Sequence, residues 1–196
     1  MTVIAAALTG DHVTLAADSQ ASAGWEKAQL DGSKLFTAEK FAIGGAGTLR
    51  DIQVLKHQVT WPKYRPDEDK DWEKYLVTVV VPAIRSGCNG HGIVKNDSGV
   101  ESIAVQIIVA AKDKLATIDS HGGVTIQRVK RGAVGSGYAE ALGRLGDKGP
   151  WTEADVIDAV RRAAYSARGV GGPITVVNTG DLTIRTVNGN GNGEVS

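Results

Sequence analysis

Residues 2–22 read TVIAAALTGDHVTLAADSQAS, and this stretch decides the fold. Two apolar runs flank the dipeptide Gly10-Asp11, which is a typical signal for a β-hairpin. Thr2 stands directly before the first run, and Asp18 stands directly after the second. Asp18 follows Thr2 by 16 residues, and Lys34 follows Asp18 by the same interval of 16.

An N-terminal threonine carries a hydroxyl and a free α-amine, which together supply a nucleophile and its general base. The reference pKa of an α-amine is about 7.7–8.0, so a useful fraction is unprotonated near neutral pH. A nearby lysine ammonium would lower that pKa and stabilise an alkoxide, and an aspartate would hold the lysine in place. Taken alone, Thr2 is more simply the first residue of a strand. The spacing of Asp18 and Lys34 favours the catalytic interpretation.

Several segments resemble the start of proteasome β-subunits and of the bacterial HslV protease. The resemblance extends from Thr2 to about Thr186 and is interrupted at about 59–100. It implies the N-terminal-nucleophile (Ntn) hydrolase fold, a four-layer αββα sandwich. The segments that carry it are residues 2–4, 13–24, 32–34, 42–48 and 133–139.

The resemblance also implies roles by position. Thr2 would be the nucleophile, and Asp18 and Lys34 would support it. The backbone amide of Gly47, in the glycine-rich turn after a strand, would form the oxyanion hole.

Two serines would complete the site implied by the resemblance. Ser136 would hydrogen-bond near the terminal amine, and Ser22 would lie on the strand that pairs with the substrate backbone. The sequence departs from many proteasome subunits at residues 165–172, which contain no carboxylate where those subunits carry an aspartate. HslV lacks that aspartate as well.

Composition bounds the class of protein. The chain has 196 residues, which suits one domain with a sizeable core. Its 22 basic and 22 acidic residues balance, which argues against a nucleic-acid partner. The single cysteine, Cys88, excludes an intramolecular disulfide and is compatible with a reducing compartment. With no signal peptide or spanning helix evident, we expect a cytoplasmic protein with no membrane partner.

The periodicity predicts an α+β fold with one domain over residues 1–187 and a flexible Asn/Gly-rich tail over 188–196. A helix is expected after Thr48, which is a candidate N-cap with Asp51 in the capping-box position. Residues 61–71 are predicted as a loop, and 87–99 as another. The other predicted elements are helices at 72–85, 136–145 and 152–167 and strands at 3–8, 13–17, 25–30, 34–37, 40–45, 103–111, 115–118, 124–129, 174–177 and 182–187.

Two glycine-rich turns can be compared with known nucleotide-binding motifs. The turn at 44–48 joins a strand to a helix, but it lacks the lysine and spacing of a phosphate-binding P-loop. The turn at 135–137 lacks the third glycine of a dinucleotide fingerprint, and the four histidines show no metal-ligand spacing. We therefore expect neither cofactor nor metal.

The resemblance, together with the spacing of Thr2, Asp18 and Lys34, implies a threonine-type endopeptidase that cleaves unfolded polypeptides or peptides inside a ring-shaped proteasome/HslV-like chamber. Because the chain begins Met-Thr, we expect the free threonine to arise by removal of Met1 alone. A homo-oligomeric ring is expected, with an ATP-dependent unfoldase as a candidate partner. Trp61, Tyr64 and Trp72 are candidates for contacts between neighbouring subunits. The alternative is a non-catalytic ring or scaffold subunit of the same fold that retains Met1.

Overall fold

The computed structural model of the chain describes residues 2–23, 26–29, 33–97, 99–166 and 172–187. Residues 30–32, the predicted tail at 188–196 and Met1 lie outside the described residues. The helices are α1 (Leu49–His57), α2 (Trp72–Tyr75), α3 (Val81–Cys88), α4 (Tyr138–Leu145) and α5 (Glu153–Ser166), with a π-helical turn, Leu76–Val80, between α2 and α3. The strands are β1 (Val3–Thr9), β2 (His12–Asp18), β3 (Gln20–Ala23), β4 (Glu26–Gln29), β5 (Leu35–Ala38), β6 (Phe41–Gly47), β7 (Val94–Asp97), β8 (Val100–Ile103), β9 (Val105–Ala111), β10 (Lys114–Ile118), β11 (Val124–Thr125), β12 (Arg131–Gly135), β13 (Ile174–Asn178) and β14 (Arg185–Val187).

Two five-stranded sheets pack face to face between two helical layers. The first sheet has the order β12–β1–β2–β13–β14, and the second has the order β11–β10–β9–β6–β5. Helices α4 and α5 cover the first sheet, and α1 and α3 pack with the second. This is the predicted αββα sandwich.

Strand β1 is buried on both faces, which explains its continuous apolar run. Val3, Ala5 and Ala7 face the helices α4 and α5, whereas Ile4 and Ala6 face the second sheet. The small alanine side chains let both neighbouring layers approach this strand closely. The predicted β1–β2 hairpin is confirmed, with Ile4 opposite Ala17.

The start of α1 follows from its sequence. The Thr48 hydroxyl accepts a hydrogen bond from the Asp51 backbone N–H at 3.2 Å, and the Asp51 carboxylate accepts one from the Thr48 N–H at 3.0 Å. The predicted capping box is therefore present. It fixes the direction in which the chain leaves β6, whose last residue is Gly47.

The aromatic residues around the predicted loop at 61–71 are core residues of this chain. Trp61, Tyr64, Trp72 and Tyr75 are buried, with ring centroids 6.1, 6.0, 6.3 and 6.5 Å from that of Phe41. They cover the outer face of the second sheet and so shield its apolar side chains from water. The expectation that Trp61, Tyr64 and Trp72 contact a neighbouring subunit is therefore wrong.

Three local predictions need correction. The predicted loop at 87–99 contains the end of α3 and the strand β7, which pairs with β8. Strand β12 was not predicted, because Gly132 and Gly135 give it low β-propensity. Strand β11 is much shorter than the predicted strand at 124–129. The predicted helix at 72–85 is divided into α2, the π-helical turn and α3, and Pro82 lies in the first turn of α3.

Candidate active site

Thr2 directly precedes β1, at the edge of the sandwich where β6 and β12 end. It is only 5% exposed. Its backbone N–H donates to the Ser136 hydroxyl at 3.2 Å, and its carbonyl accepts from the Gly137 N–H at 3.3 Å. The turn after β12 therefore holds residue 2 in place.

The pairing of β1 with β2 brings Asp18 next to Thr2. The Asp18 carboxylate accepts a hydrogen bond from the backbone N–H of Val3 at 2.9 Å. The Lys34 ammonium donates to both oxygens of the same carboxylate, at 2.8 and 2.9 Å, and to the Gln20 carbonyl at 2.8 Å. Asp18 thus connects Lys34 to the backbone immediately after Thr2.

The Lys34–Asp18 ion pair is fully buried, with side chains 3% and 1% exposed. Burial lowers the pKa of Lys34 below its ordinary value, although the charge of Asp18 and its hydrogen bond act in the opposite direction. A buried pair of this kind costs desolvation free energy, so it is weak evidence for stability. Its position beside Thr2 makes the pair a candidate functional feature.

An open cleft of ≈ 390 Å³ lies against Thr2. One wall is the end of β6, with Ala46 and Gly47, and the other is the turn with Ser136. A Cβ at Gly47 would lie 2.7 Å from the backbone oxygen of Ala104, so only glycine fits there without a shift. The backbone of Gly47 therefore approaches both β9 and the cleft closely.

The opposite wall also depends on a glycine. Gly135 has φ of +94°, and a Cβ there would lie 2.3 Å from the Thr2 carbonyl oxygen. Its left-handed backbone conformation turns the chain so that Ser136 meets the amide of Thr2. Both glycine-rich turns singled out in the sequence thus border the cleft.

Gln106 is a site residue that sequence reasoning missed. It lies on β9, lines the cleft, and accepts a hydrogen bond from the Gly135 N–H at 3.1 Å through its side-chain oxygen. The one signal for it is a single polar residue inside the apolar strand VQIIVAA. Tyr138, at the start of α4, also lines the cleft and is 53% exposed.

The structure brings five of the six predicted site residues to one end of the sandwich, namely Thr2, Asp18, Lys34, Gly47 and Ser136. Ser22 lies on β3, opposite Lys27 of β4, and its side chain lies outside the description. Within the described ranges, no group of three or more His, Cys, Asp or Glu side chains could hold a metal ion. None of the described helices is long and apolar enough to span a membrane.

No protein-family model and no curated protein matches this chain. Among solved structures it is similar to Thiobacillus denitrificans BPH in complex with Epoxomicin, at 16% identity and a TM-score of 0.73, over 92% of this chain and 99% of that one. BPH from the same organism matches at 18% identity and a TM-score of 0.73, over 92% and 98%. Eukaryotic HslV from Trypanosoma brucei matches at 19% identity and a TM-score of 0.65, over 90% and 98%.

This chain has the HslV/proteasome-like fold. The match spans nearly the whole of each similar chain, so the resemblance noted in the sequence is confirmed at the level of the fold. In this HslV-like fold, the cleft lies at the end of the sandwich where β1 begins. A fold does not fix a function, so the activity has to be argued from the site itself.

Proposed function

We propose that this chain is a threonine-type endopeptidase of the Ntn class, active once Met1 has been removed. The observation that carries the proposal is the position of the Asp18 carboxylate. It binds the buried Lys34 ammonium at 2.8 Å and the amide of Val3 at 2.9 Å, beside the residue that borders the cleft. Through Asp18, the buried cation is held next to the residue that would carry the hydroxyl and, after removal of Met1, the terminal amine, and a nearby cation is one way to activate a nucleophile.

In the first step, the Thr2 hydroxyl oxygen attacks the carbonyl carbon of the scissile peptide bond. The hydroxyl proton passes to the Thr2 amine, and the Lys34 ammonium stabilises the negative charge that develops on the oxygen. The carbonyl oxygen becomes an oxyanion that accepts a hydrogen bond from the Gly47 N–H. One such donor is typically worth about 10²–10³-fold in rate.

Collapse of this intermediate breaks the C–N bond and leaves an ester on Thr2. The protonated amine gives its proton to the departing nitrogen, so the new N-terminus leaves as a neutral amine. A water molecule then attacks the ester, with the same amine as its general base, and restores the Thr2 hydroxyl. General-base assistance of this kind typically contributes about 10²–10⁴-fold.

Ser136 has a positioning role in this proposal. Its hydroxyl accepts the hydrogen bond from the Thr2 nitrogen at 3.2 Å and donates to the Thr2 carbonyl at 3.3 Å. These two contacts orient the nitrogen whose lone pair must face the hydroxyl. Gln106 supports the same turn through Gly135.

The proposal includes an assembly. An N-terminal nucleophile at an open cleft would attack folded proteins unless access to it were restricted. We therefore propose a closed homo-oligomeric ring in the cytoplasm, which admits unfolded polypeptides and takes them from an ATP-dependent unfoldase. Closed symmetry is the usual outcome for homo-oligomers.

The direct test is turnover of an unfolded protein and of short peptides by the wild type, Thr2→Ala and Thr2→Ser. We expect Thr2→Ala to lose hydrolysis with little change in melting temperature, and Thr2→Ser to keep a measurable rate because it keeps the hydroxyl and the amine. One similar structure is a complex with Epoxomicin, so inhibition by that compound is a second readout. Activity of Thr2→Ala within about tenfold of the wild type would overturn the assignment.

A further inference from the structure

A second cavity, of ≈ 200 Å³, adjoins the candidate active-site cleft. The two share Gln106 and Tyr138, which line both. Its other walls come from β10 and the turn after it, from β11, and from β12. The cavity therefore lies where the space between the two sheets opens beside the cleft.

The lining combines an apolar wall with polar groups around it. Val134 and the ring of Tyr138 supply apolar surface, and Thr117 and Thr125, which are paired across β10 and β11, supply hydroxyls. Among the described residues that line the cavity, Asp119 alone carries a charge. An apolar wall with one carboxylate fits an aliphatic chain that ends in a cation.

The Asp119 carboxylate is oriented by its own turn. One oxygen accepts hydrogen bonds from the backbone N–H groups of His121, at 2.8 Å, and Gly123, at 2.9 Å. In the part of the chain that the structure describes, the second oxygen accepts no hydrogen bond. The turn also contacts a cation, Arg85. Its guanidinium donates a hydrogen bond to the His121 carbonyl at 2.8 Å and lies 3.9 Å from the Glu101 carboxylate. Arg85 is not among the residues that line the cavity.

The geometry of the proposed reaction decides which side of the substrate meets this cavity. The Thr2 amine gives its proton to the departing nitrogen, and that amine bonds to Ser136. The departing part of the substrate must therefore lie toward the Ser136 wall and not toward Gly47. The second cavity begins at that wall, beside Tyr138, only two residues after Ser136.

We propose that this cavity binds the side chain of the residue that follows the scissile bond, and that it selects lysine or arginine there. The inference rests on the proposed peptidase function. The aliphatic stem would pack on Val134 and the exposed ring of Tyr138, and the cationic head would pair with Asp119. Gln106 separates this subsite from the cleft around Thr2.

The test compares peptides that differ only in the residue after the cleaved bond, with lysine, methionine or glycine there. We expect the wild type to cleave the lysine peptide with a higher kcat/KM than the methionine peptide. Asp119→Asn keeps an acceptor for the two backbone N–H groups. In this variant the ratio of kcat/KM for the lysine peptide to kcat/KM for the methionine peptide should fall about 2- to 5-fold, as for the loss of a solvent-accessible ion pair. Thr125→Trp should lower the rate for lysine relative to glycine by filling the cavity.

Asp67→Asn is the matched control, since it removes the same charge from an exposed position in the loop at 61–71. An unchanged ratio in Asp119→Asn, or an equal change in Asp67→Asn, overturns the subsite. If no peptide is cleaved, the proposed function fails. The affinity of the lysine and methionine peptides for the Thr2→Ala protein, measured by fluorescence anisotropy, then tests the subsite alone. There, tighter binding of the lysine peptide that is lost on Asp119→Asn supports the subsite, and equal binding of both peptides overturns it.

Discussion

Asp18 connects Lys34 to the start of β1 in the candidate site. Its carboxylate faces the Lys34 ammonium and the Val3 amide, so a single side chain fixes both the cation and the backbone next to Thr2. The arrangement depends on the β1–β2 register, since Asp18 follows Ala17, the partner of Ile4. A slip of one residue would move the carboxylate to the other face of the sheet.

The pH dependence of activity tests the role of Lys34. Because burial lowers the pKa of Lys34 below its ordinary value of 10.5, its ammonium should lose the proton, and catalysis should fail, as pH rises through a value below 10.5. Over the same range the folded state binds fewer protons at Lys34 than the unfolded state, so this group makes the free energy of unfolding rise with pH. Activity should therefore fall with rising pH over a range in which the titration of Lys34 does not itself lower the melting temperature.

Lys34→Arg is the control for this profile, because guanidinium keeps its charge over the whole range. Whatever activity it retains should persist to higher pH than that of the wild type. If the variant loses activity at the same alkaline pH as the wild type, the alkaline loss of activity is not caused by deprotonation of Lys34.

At the scale of elements, β6 and its helix α1 shape one wall of the cleft. The strand ends in Gly47, which approaches β9, and the capping box then starts α1 at once. The short connection leaves the Gly47 backbone at the cleft edge. The glycine is therefore required by packing, whether or not its amide serves as an oxyanion donor.

Two glycine-to-alanine substitutions distinguish a position where close packing requires glycine from one where it does not. Gly47→Ala should destabilise the fold by about 1–3 kcal/mol, because its Cβ would meet the Ala104 carbonyl oxygen. Gly143→Ala, inside α4 with open space around it, should stabilise by about 0.5–1 kcal/mol. Thermal or urea unfolding measures both. A Gly47→Ala protein as stable as the wild type would show that β6 and β9 are not so closely packed.

Much of the fold was predictable from local patterns. The β1–β2 hairpin, the α1 cap and the two helices after residue 136 follow from periodicity and turn chemistry, all of which act over a few residues. Strand β12 was missed because its pairing with β1 overrides the low propensity of two glycines. The hairpin of β7 and β8 was missed because glycines and polar residues obscure its pattern.

The candidate site was predictable to a different degree. Spacing and resemblance predicted that Asp18 and Lys34 belong with Thr2, and the three do lie together. Gln106 was not predictable as a site residue, because its bond to Gly135 joins residues 29 positions apart and a single polar residue in an apolar strand does not indicate its partner. The second cavity likewise depends on which strands become neighbours.

At the scale of the whole molecule, the aromatic residues first expected at a subunit contact fill the core over the second sheet. Exposed apolar side chains in this region include Leu49 at 45%, Val77 at 48% and Val79 at 39%. These belong to α1 and to the π-helical turn before α3. The surface that a ring would bury therefore shifts from the loop at 61–71 to these two elements.

Light scattering coupled to size exclusion tests the proposed ring. We expect a species several times the 20.5 kDa chain mass at micromolar concentration, and a smaller species for Val77→Lys. Circular dichroism of the variant checks that the fold is kept. A wild-type chain that stays at 20.5 kDa would contradict the ring and would weaken the peptidase proposal.

The central claim is that Thr2, with a free amine, is the nucleophile. Intact mass spectrometry of a preparation whose turnover of unfolded protein has been measured tests this most directly. The account predicts that the active chain lacks Met1 and begins at Thr2, and that a fraction enriched in chains retaining Met1 is inactive in proportion. Full turnover by a preparation in which every chain retains Met1 would contradict it.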